Sequence, residues 1–325
     1  MKFNFKKLNN VYSVLNKFRI ILLYIFIFLK LEIKCLEPKR SPRKIIKKGF
    51  NKVEIPKIVW MYWHEKEMPK LILMCVNRIR EINPNYTVIL LNDENIENFV
   101  DGLNDFVFPE IQHKSDYIRL YLLKKYGGVW MDASILNFSS IDVFIKELED
   151  NYAGFFLFFN EKRTVDSAYP IVENWFIASE KNNTFVCSWF DEFKFALNIK
   201  PNNYIKKISN ERVFHNIDVD ERLYLFSYLC AQVALRKYDG SYVLWSCDDT
   251  AFYYHLTGSF RYLLYKKETF HYTNIIKTLA LYKRPNRLPV LIKLVSGDYK
   301  HLEKVIEKKY YRKNSMLGIC IRDQK

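Results

Sequence analysis

The chain has 325 residues, enough for one large domain or two small ones, and 49% of them are hydrophobic, so material for a sizeable core is present. The net charge is +15, but residues 1–48 hold thirteen Lys or Arg against only Glu32 and Glu37, which leaves +4 on the remainder. Basic residues gathered in an arm argue against a nucleic-acid binder, whose charge would spread over a folded face, and for an anionic membrane surface as partner.

Residues 1–50 read as a separate basic arm and linker. Its apolar run, Ile20–Leu29, is about half of the roughly 20 residues that a spanning helix needs. A basic start before a short apolar core is also a signal-peptide pattern, yet the residues that follow, Lys34 to Pro38, offer no small-residue cleavage site. A helix lying in the interface on the cytoplasmic face of a membrane is the favoured reading. A short type II anchor and a helix packed on the folded domain are the alternatives. Pro38 to Gly49 then reads as a basic linker.

The folded domain is expected over residues 51–260, with 261–325 as a mixed, basic, partly helical extension packed against it. Ile58–Trp63 reads as the first strand, Leu71–Ile82 has helical apolar spacing, and Tyr86–Leu91 is a second strand. Asn92 or Asp93 can cap a short helix running to Val100. A helix over Gln112–Tyr126 and a strand over Val129–Asp132 follow. A helix at Asp142–Glu149, strands at Tyr152–Phe159 and Asn174–Ala178, and helices at Thr184–Leu197 and Arg222–Lys237 complete the pattern. Alternating strands and helices predict a parallel α/β sheet.

The chemistry concentrates in Ser115–Ser134, SDYIRLYLLKKYGGVWMDAS. Asp116 and Arg119 lie three apart, so a helix puts both on one face. Gly127 and Gly128 stop that helix, and Asp132 emerges at the end of the next strand, where ligands bind in open α/β sheets. A strand-end carboxylate is the right ligand type for a divalent cation. Asp116 and Arg119 read either as a ligand-binding pair or as a surface ion pair. Trp63 reads as a stacking platform or a core residue, and Asp248 and Asp249 as further carboxylates for the cation or as a helix cap. His255 is expected in the core. The six cysteines lack C-x-x-C or zinc-ligand spacing and read as reduced core thiols. With no G-x-G-x-x-G and no G-K-[ST], dinucleotide and P-loop readings fail.

The same stretch resembles the pattern S-D-x-x-R-x-x-x-L-x-x-x-G-G-x-(aromatic)-x-D-x-D of glycosyltransferases with a DXD-type sugar-binding region, glycosyltransferase family 32 and its relatives. It is closer still to their branch of capsular polysaccharide synthesis proteins, where the last D-x-D is commonly D-A-T; here it is Asp132-Ala133-Ser134. Ile55–Trp63 and Asn174–Asn183 are similar to two further segments of that family, so the resemblance covers roughly residues 53 to 260.

The resemblance implies a GT-A-type, nucleotide-sugar-binding Rossmann-like sheet. It implies hexose transfer from a nucleotide sugar, expected to be a UDP-sugar, to a growing capsular or other surface polysaccharide, with retention and with lipid-linked acceptors included. Asp116, Arg119 and Asp132 are the implied catalytic residues. Trp63, Asp116, Tyr117, Arg119, Gly128 and Ser134 are the implied donor-binding set. Mn²⁺ or Mg²⁺ is expected on Asp132, with Asp249 as a second carboxylate. Ser134 is the departure, because a neutral hydroxyl replaces a charged ligand. It motivates a rival reading, a catalytically silent nucleotide-sugar-binding or scaffold subunit of a membrane glycan-assembly complex.

Overall fold

A computed structural model of the chain describes residues 33–208, 211–258 and 272–322. Its centre is a seven-stranded sheet. The strands are β1 (Lys44–Lys47), β2 (Ile58–Tyr62), β3 (Thr87–Leu91), β4 (Gly128–Met131), β6 (Phe155–Phe159), β7 (Val172–Ser179) and β8 (Tyr242–Ser246), in the order β1-β8-β6-β7-β4-β2-β3. A second, two-stranded sheet pairs β5 (Ile135–Asn137) with β9 (Leu291–Lys293).

Strands β4 and β6 are continuous apolar runs because helices cover both faces of the sheet. Every residue of the FFLFF run in β6 and of the GVWM run in β4 is buried. Helix α1 (Lys70–Ile82) crosses from β2 to the parallel strand β3, and Leu71, Ile72, Cys75, Val76 and Ile79 form its buried stripe. Helix α2 (Ile111–Tyr126) leads into β4, which lies parallel to β2. Helix α3 (Asp142–Asn151) precedes β6, α4 (Thr184–Asn198) and α5 (Pro201–Lys207) follow β7, and α6 (Phe226–Lys237) precedes β8. The C-terminal part adds α7 (Tyr253–Thr257), α8 (Tyr272–Ala280), α9 (Ser296–Glu307) and α10 (Met316–Arg322).

The sheet is mixed rather than parallel. Parallel neighbours need a crossover helix, and residues 160–171 between β6 and β7 contain none. The chain therefore turns back, and β7 runs antiparallel to both β6 and β4. This reversal matters for the site. Met131 pairs with Phe176, so the first residues of β7 lie beside the carboxyl end of β4.

The segment expected as a linker contributes an edge strand. Lys44–Lys47 pairs antiparallel with Tyr242–Trp245 of β8. Its basic residues are engaged too: Lys39 and Arg43 pair with Asp249, Arg43 also with Glu161, and Lys44 with Glu147. Part of the basic excess is thus folded against the domain. The apolar run Ile20–Leu29 lies outside the described residues. Among the described residues no helix is long and apolar enough to cross a membrane.

Candidate active site

Two strands deliver the first side chains. Trp63 follows β2 and Asp132 follows β4, and the strands are parallel, so both residues emerge at the same edge of the sheet. From α2, Gln112, Ser115, Asp116 and Arg119 share one face at helical spacing and point toward that edge. From β7 come Glu173, Asn174 and Trp175, anchored where the Asp132 amide donates to the Trp175 carbonyl at 2.9 Å.

These residues line two joined chambers. One, of about 310 Å³, is bordered by Asp116, Arg119, Asp132, Asn174, Tyr228 and Lys293. The other, of about 220 Å³, is bordered by Tyr62, Trp63, His64 and Ser115. Arg119, Asp132, Ser134 and Tyr299 belong to both walls. The Trp63 ring meets Tyr299 edge-on, with centroids 5.9 Å apart.

Arg119 ties the junction together. Its Nη1 donates to Asp116 Oδ1 at 2.5 Å, and its Nη2 donates to Ser115 Oγ at 3.1 Å and to Asp132 Oδ1 at 3.2 Å. The guanidinium lies 5.0 Å from the centroid of the Trp130 ring, whose Nε1 also donates to Asp132 Oδ1, at 2.9 Å. Lys293 holds the other carboxylate oxygen, with Nζ 2.9 Å from Asp132 Oδ2, and donates to Ser134 Oγ at 2.7 Å. Asp116 also accepts from Asn174 Nδ2 at 2.8 Å. Tyr228 donates to Glu173 Oε2 at 2.8 Å.

The two aspartates have opposite electrostatics. Burial pushes Asp116 up to about 6, with Asp132 adding to the effect and Arg119 opposing it. Burial acts in the same sense on Asp132, but Lys293 and Arg119 outweigh it and hold that carboxyl below its ordinary value. Asp132 is therefore a fixed anion, while Asp116 titrates within a usable range.

Several expected residues lie elsewhere. Tyr117 is one residue on from Asp116, which turns it about 100° around the helix. It packs against Phe106, Phe108 and Phe190, and its hydroxyl donates to the Asp101 carbonyl. Gly128 is a packing residue. Its φ is +97°, and a Cβ there would meet the Ile58 carbonyl oxygen at 2.7 Å. Asp249 faces Lys39 and Arg43 and lines neither chamber. Asp248 lines a third cavity, which shares Glu173, Tyr228 and Phe252 with the first. His255 is buried and bonded to Asp298 Oδ2 at 2.7 Å, a core position.

Lys293, Tyr228, Glu173, Tyr62 and Tyr299 are among the site residues that sequence reading missed. Glu173 immediately precedes the Asn174–Asn183 segment, which is the nearest thing to a signal for it. Lys293 and Tyr228 arrive from elements whose place depends on tertiary pairing.

The donor set does not suit a divalent cation as its side chains stand. Both Asp132 oxygens and the Ser134 hydroxyl already accept from protein donors. Among the described residues no group of three or more His, Cys, Asp or Glu could hold a metal ion.

Residues 34–207 match the capsular polysaccharide synthesis protein family. The match spans more than half of the chain, and the chain belongs to that family. It is similar to O-glycosyltransferase braB of Annulohypoxylon truncatum, 31% identical over 161 residues, or 42% of this chain and 37% of that protein. It is also similar to inositol phosphoceramide mannosyltransferase 3 of Schizosaccharomyces pombe, 26% identical over 89 residues, or 25% of this chain and 24% of that one. The chain thus spans well under half the length of these curated relatives. Among solved structures, the PaToxG glycosyltransferase aligns with a TM-score of 0.34 at 17% identity, over 56% of this chain and 79% of that one.

Proposed function

We propose that this member of the capsular polysaccharide synthesis protein family is a glycosyltransferase of GT-A type. It moves a hexose from a nucleotide sugar, a UDP-sugar in the first instance, onto a growing surface glycan. The observation that carries the reading is the meeting of two chambers at Arg119 and Asp132. One chamber offers aromatic rings at Tyr62, Trp63 and Tyr299, suited to a base. The other offers the Asp116–Asn174–Tyr228 polar group, suited to sugar hydroxyls. Arg119 lies between them, where a donor stretched across both would carry its diphosphate. A planar guanidinium binds such an oxyanion with two parallel hydrogen bonds.

In the proposed reaction the bond from the sugar C1 to the diphosphate oxygen breaks, and its electron pair leaves with the diphosphate. An acceptor hydroxyl oxygen bonds to C1, and its proton passes to the departing phosphate. Retention of configuration suits this route, because it needs no strong protein base. The acceptor would enter from the third cavity, of about 470 Å³, beyond Glu173, Tyr228 and Phe252. Residues 1–32 would bring the protein to an anionic membrane carrying a lipid-linked acceptor.

A thermal-shift panel of nucleotide sugars on the purified full chain tests the reading. A donor bound at a hundred times its Kd raises stability by about 2.7 kcal/mol, a readily measured shift. No stabilisation by any nucleotide sugar would overturn it. Stabilisation without turnover would favour a silent binding subunit.

A further inference from the structure

We propose that Lys293 is, with Arg119, a cation of the donor-diphosphate site, standing between Asp132 and Ser134 where the resemblance expects a divalent metal. The proposal rests on the nucleotide-sugar reading and specifies how that site handles charge.

The first ground is position. The two side chains at the ends of the Asp132-Ala133-Ser134 triplet converge on one atom, Lys293 Nζ, at 2.9 and 2.7 Å. A metal bridging the triplet would have to take that place and displace the ammonium.

The second ground is how Lys293 is held. Ser134 is followed directly by β5, and Ile135 of β5 is in register with Lys293 of β9. The next residue, Leu294, donates its amide to the Ser134 carbonyl at 3.0 Å, and the Lys293 amide donates to the Ala251 carbonyl at 3.3 Å. The main chain is pinned on both sides, and the Lys293 side chain is 11% exposed in the chamber wall. The ammonium is thus delivered by a sheet rather than by a free surface side chain.

The third ground is charge. Asp116 and Asp132 face Arg119 and Lys293, two anions and two cations. A diphosphate entering this group meets both cations at once. A dication placed here would meet the same two cations, which repel it, and would have to displace Lys293 to reach Asp132 and Ser134. Ser134 follows from this arrangement: a hydroxyl accepts one ammonium hydrogen bond without adding a charge. Asp132 then acts as the counter-ion that orients Arg119 and Lys293, and the leaving diphosphate gains its charge beside them.

Calorimetric titration of the full chain with UDP, with and without EDTA, tests this directly. The expected result is a Kd that EDTA leaves within twofold, a Kd at least tenfold weaker in Lys293→Met, and partial recovery in Lys293→Arg. Uridine, which lacks phosphate, should bind wild type and Lys293→Met alike. If UDP binds wild type only when Mn²⁺ or Mg²⁺ is added, the proposal is overturned, and this arm holds even where Lys293→Met fails to fold. Lys293→Met with wild-type UDP affinity overturns it as well. Failure of wild type to bind any nucleoside diphosphate, with or without metal, instead overturns the nucleotide-sugar reading itself.

Discussion

Asn174 Nδ2 donates to Asp116 Oδ1 over 2.8 Å, joining the first residues of β7 to the middle of α2 across the floor of the cleft. The contact exists because β7 runs antiparallel to β4, which brings its start to the edge where Asp132 emerges. It also aims a buried carboxylate at the chamber that we assign to the sugar.

That carboxylate sets a pH dependence. Burial raises Asp116 from an ordinary 3.8 to about 6. Its native form holds the proton more tightly than its unfolded form, so its contribution makes stability fall as pH rises from about 4 to about 6 and then level off. Donor binding should move the other way, because the ionised carboxylate is the better acceptor for sugar hydroxyls. Donor Kd measured from pH 5 to pH 8 is expected to weaken below about 6. Asp116→Asn should bind weakly throughout and lose that acid limb. A limb unchanged in Asp116→Asn would assign it to another group.

Arg119→Lys should weaken donor binding at least tenfold, although the charge is kept. Lysine cannot reach Asp116, Ser115 and Asp132 with one rigid fork, nor present two parallel donors to a phosphate. Unaltered circular dichroism with a raised Kd is the expected pair of results. An unchanged Kd would reduce Arg119 to an ion-pair partner within the protein.

The run from α2 through Gly127 and Gly128 to Asp132 was legible because local rules fix it: helical spacing, a positive-φ stop and a buried apolar strand. Asp116, Arg119 and Asp132 could be placed on one edge from those rules alone. Tyr117 lies outside the chambers because one step along a helix turns a side chain by about 100°, away from the face that carries Asp116. Gly128 was misread because what requires glycine there is a neighbour's carbonyl, not a ligand. β1 has the sequence KIIK with three exposed residues, so it carries no core signal, and only its pairing with β8 reveals it. β9 is three residues long, and the place of Lys293 beside Ser134 follows from register with β5. No local pattern encodes a contact between such distant segments.

Asp249 ties the basic segment around Lys39 and Arg43 to the folded domain. Burial would raise this carboxyl, but Arg43 and Lys39 together bring it from 3.8 down to about 2. Its stabilisation is complete above about pH 4 and is lost as pH falls through about 2; the shift corresponds to about 2 kcal/mol at neutral pH. Asp249→Asn should cost about that much in urea unfolding at pH 7. Deleting residues 1–48 should cost more, because it also removes β1. Deleting 1–32 should leave stability near wild type while weakening sedimentation with anionic vesicles. Equal stability of the two truncations would contradict the Asp249 assignment, and undiminished vesicle binding of the shorter one would contradict the role of the arm.

The most direct test is turnover. Purified full chain is incubated with a panel of nucleotide sugars, and nucleoside diphosphate release is followed for wild type and for Asp132→Asn. The substitution keeps the side chain's size but removes the anion that orients Arg119 and Lys293. Wild type is expected to release diphosphate from one donor, at a rate at least a hundredfold above Asp132→Asn, equivalent to about 2.7 kcal/mol of transition-state stabilisation. Absence of release from every donor, or an Asp132→Asn rate within threefold of wild type, would contradict the assignment of this cleft as the transferase site.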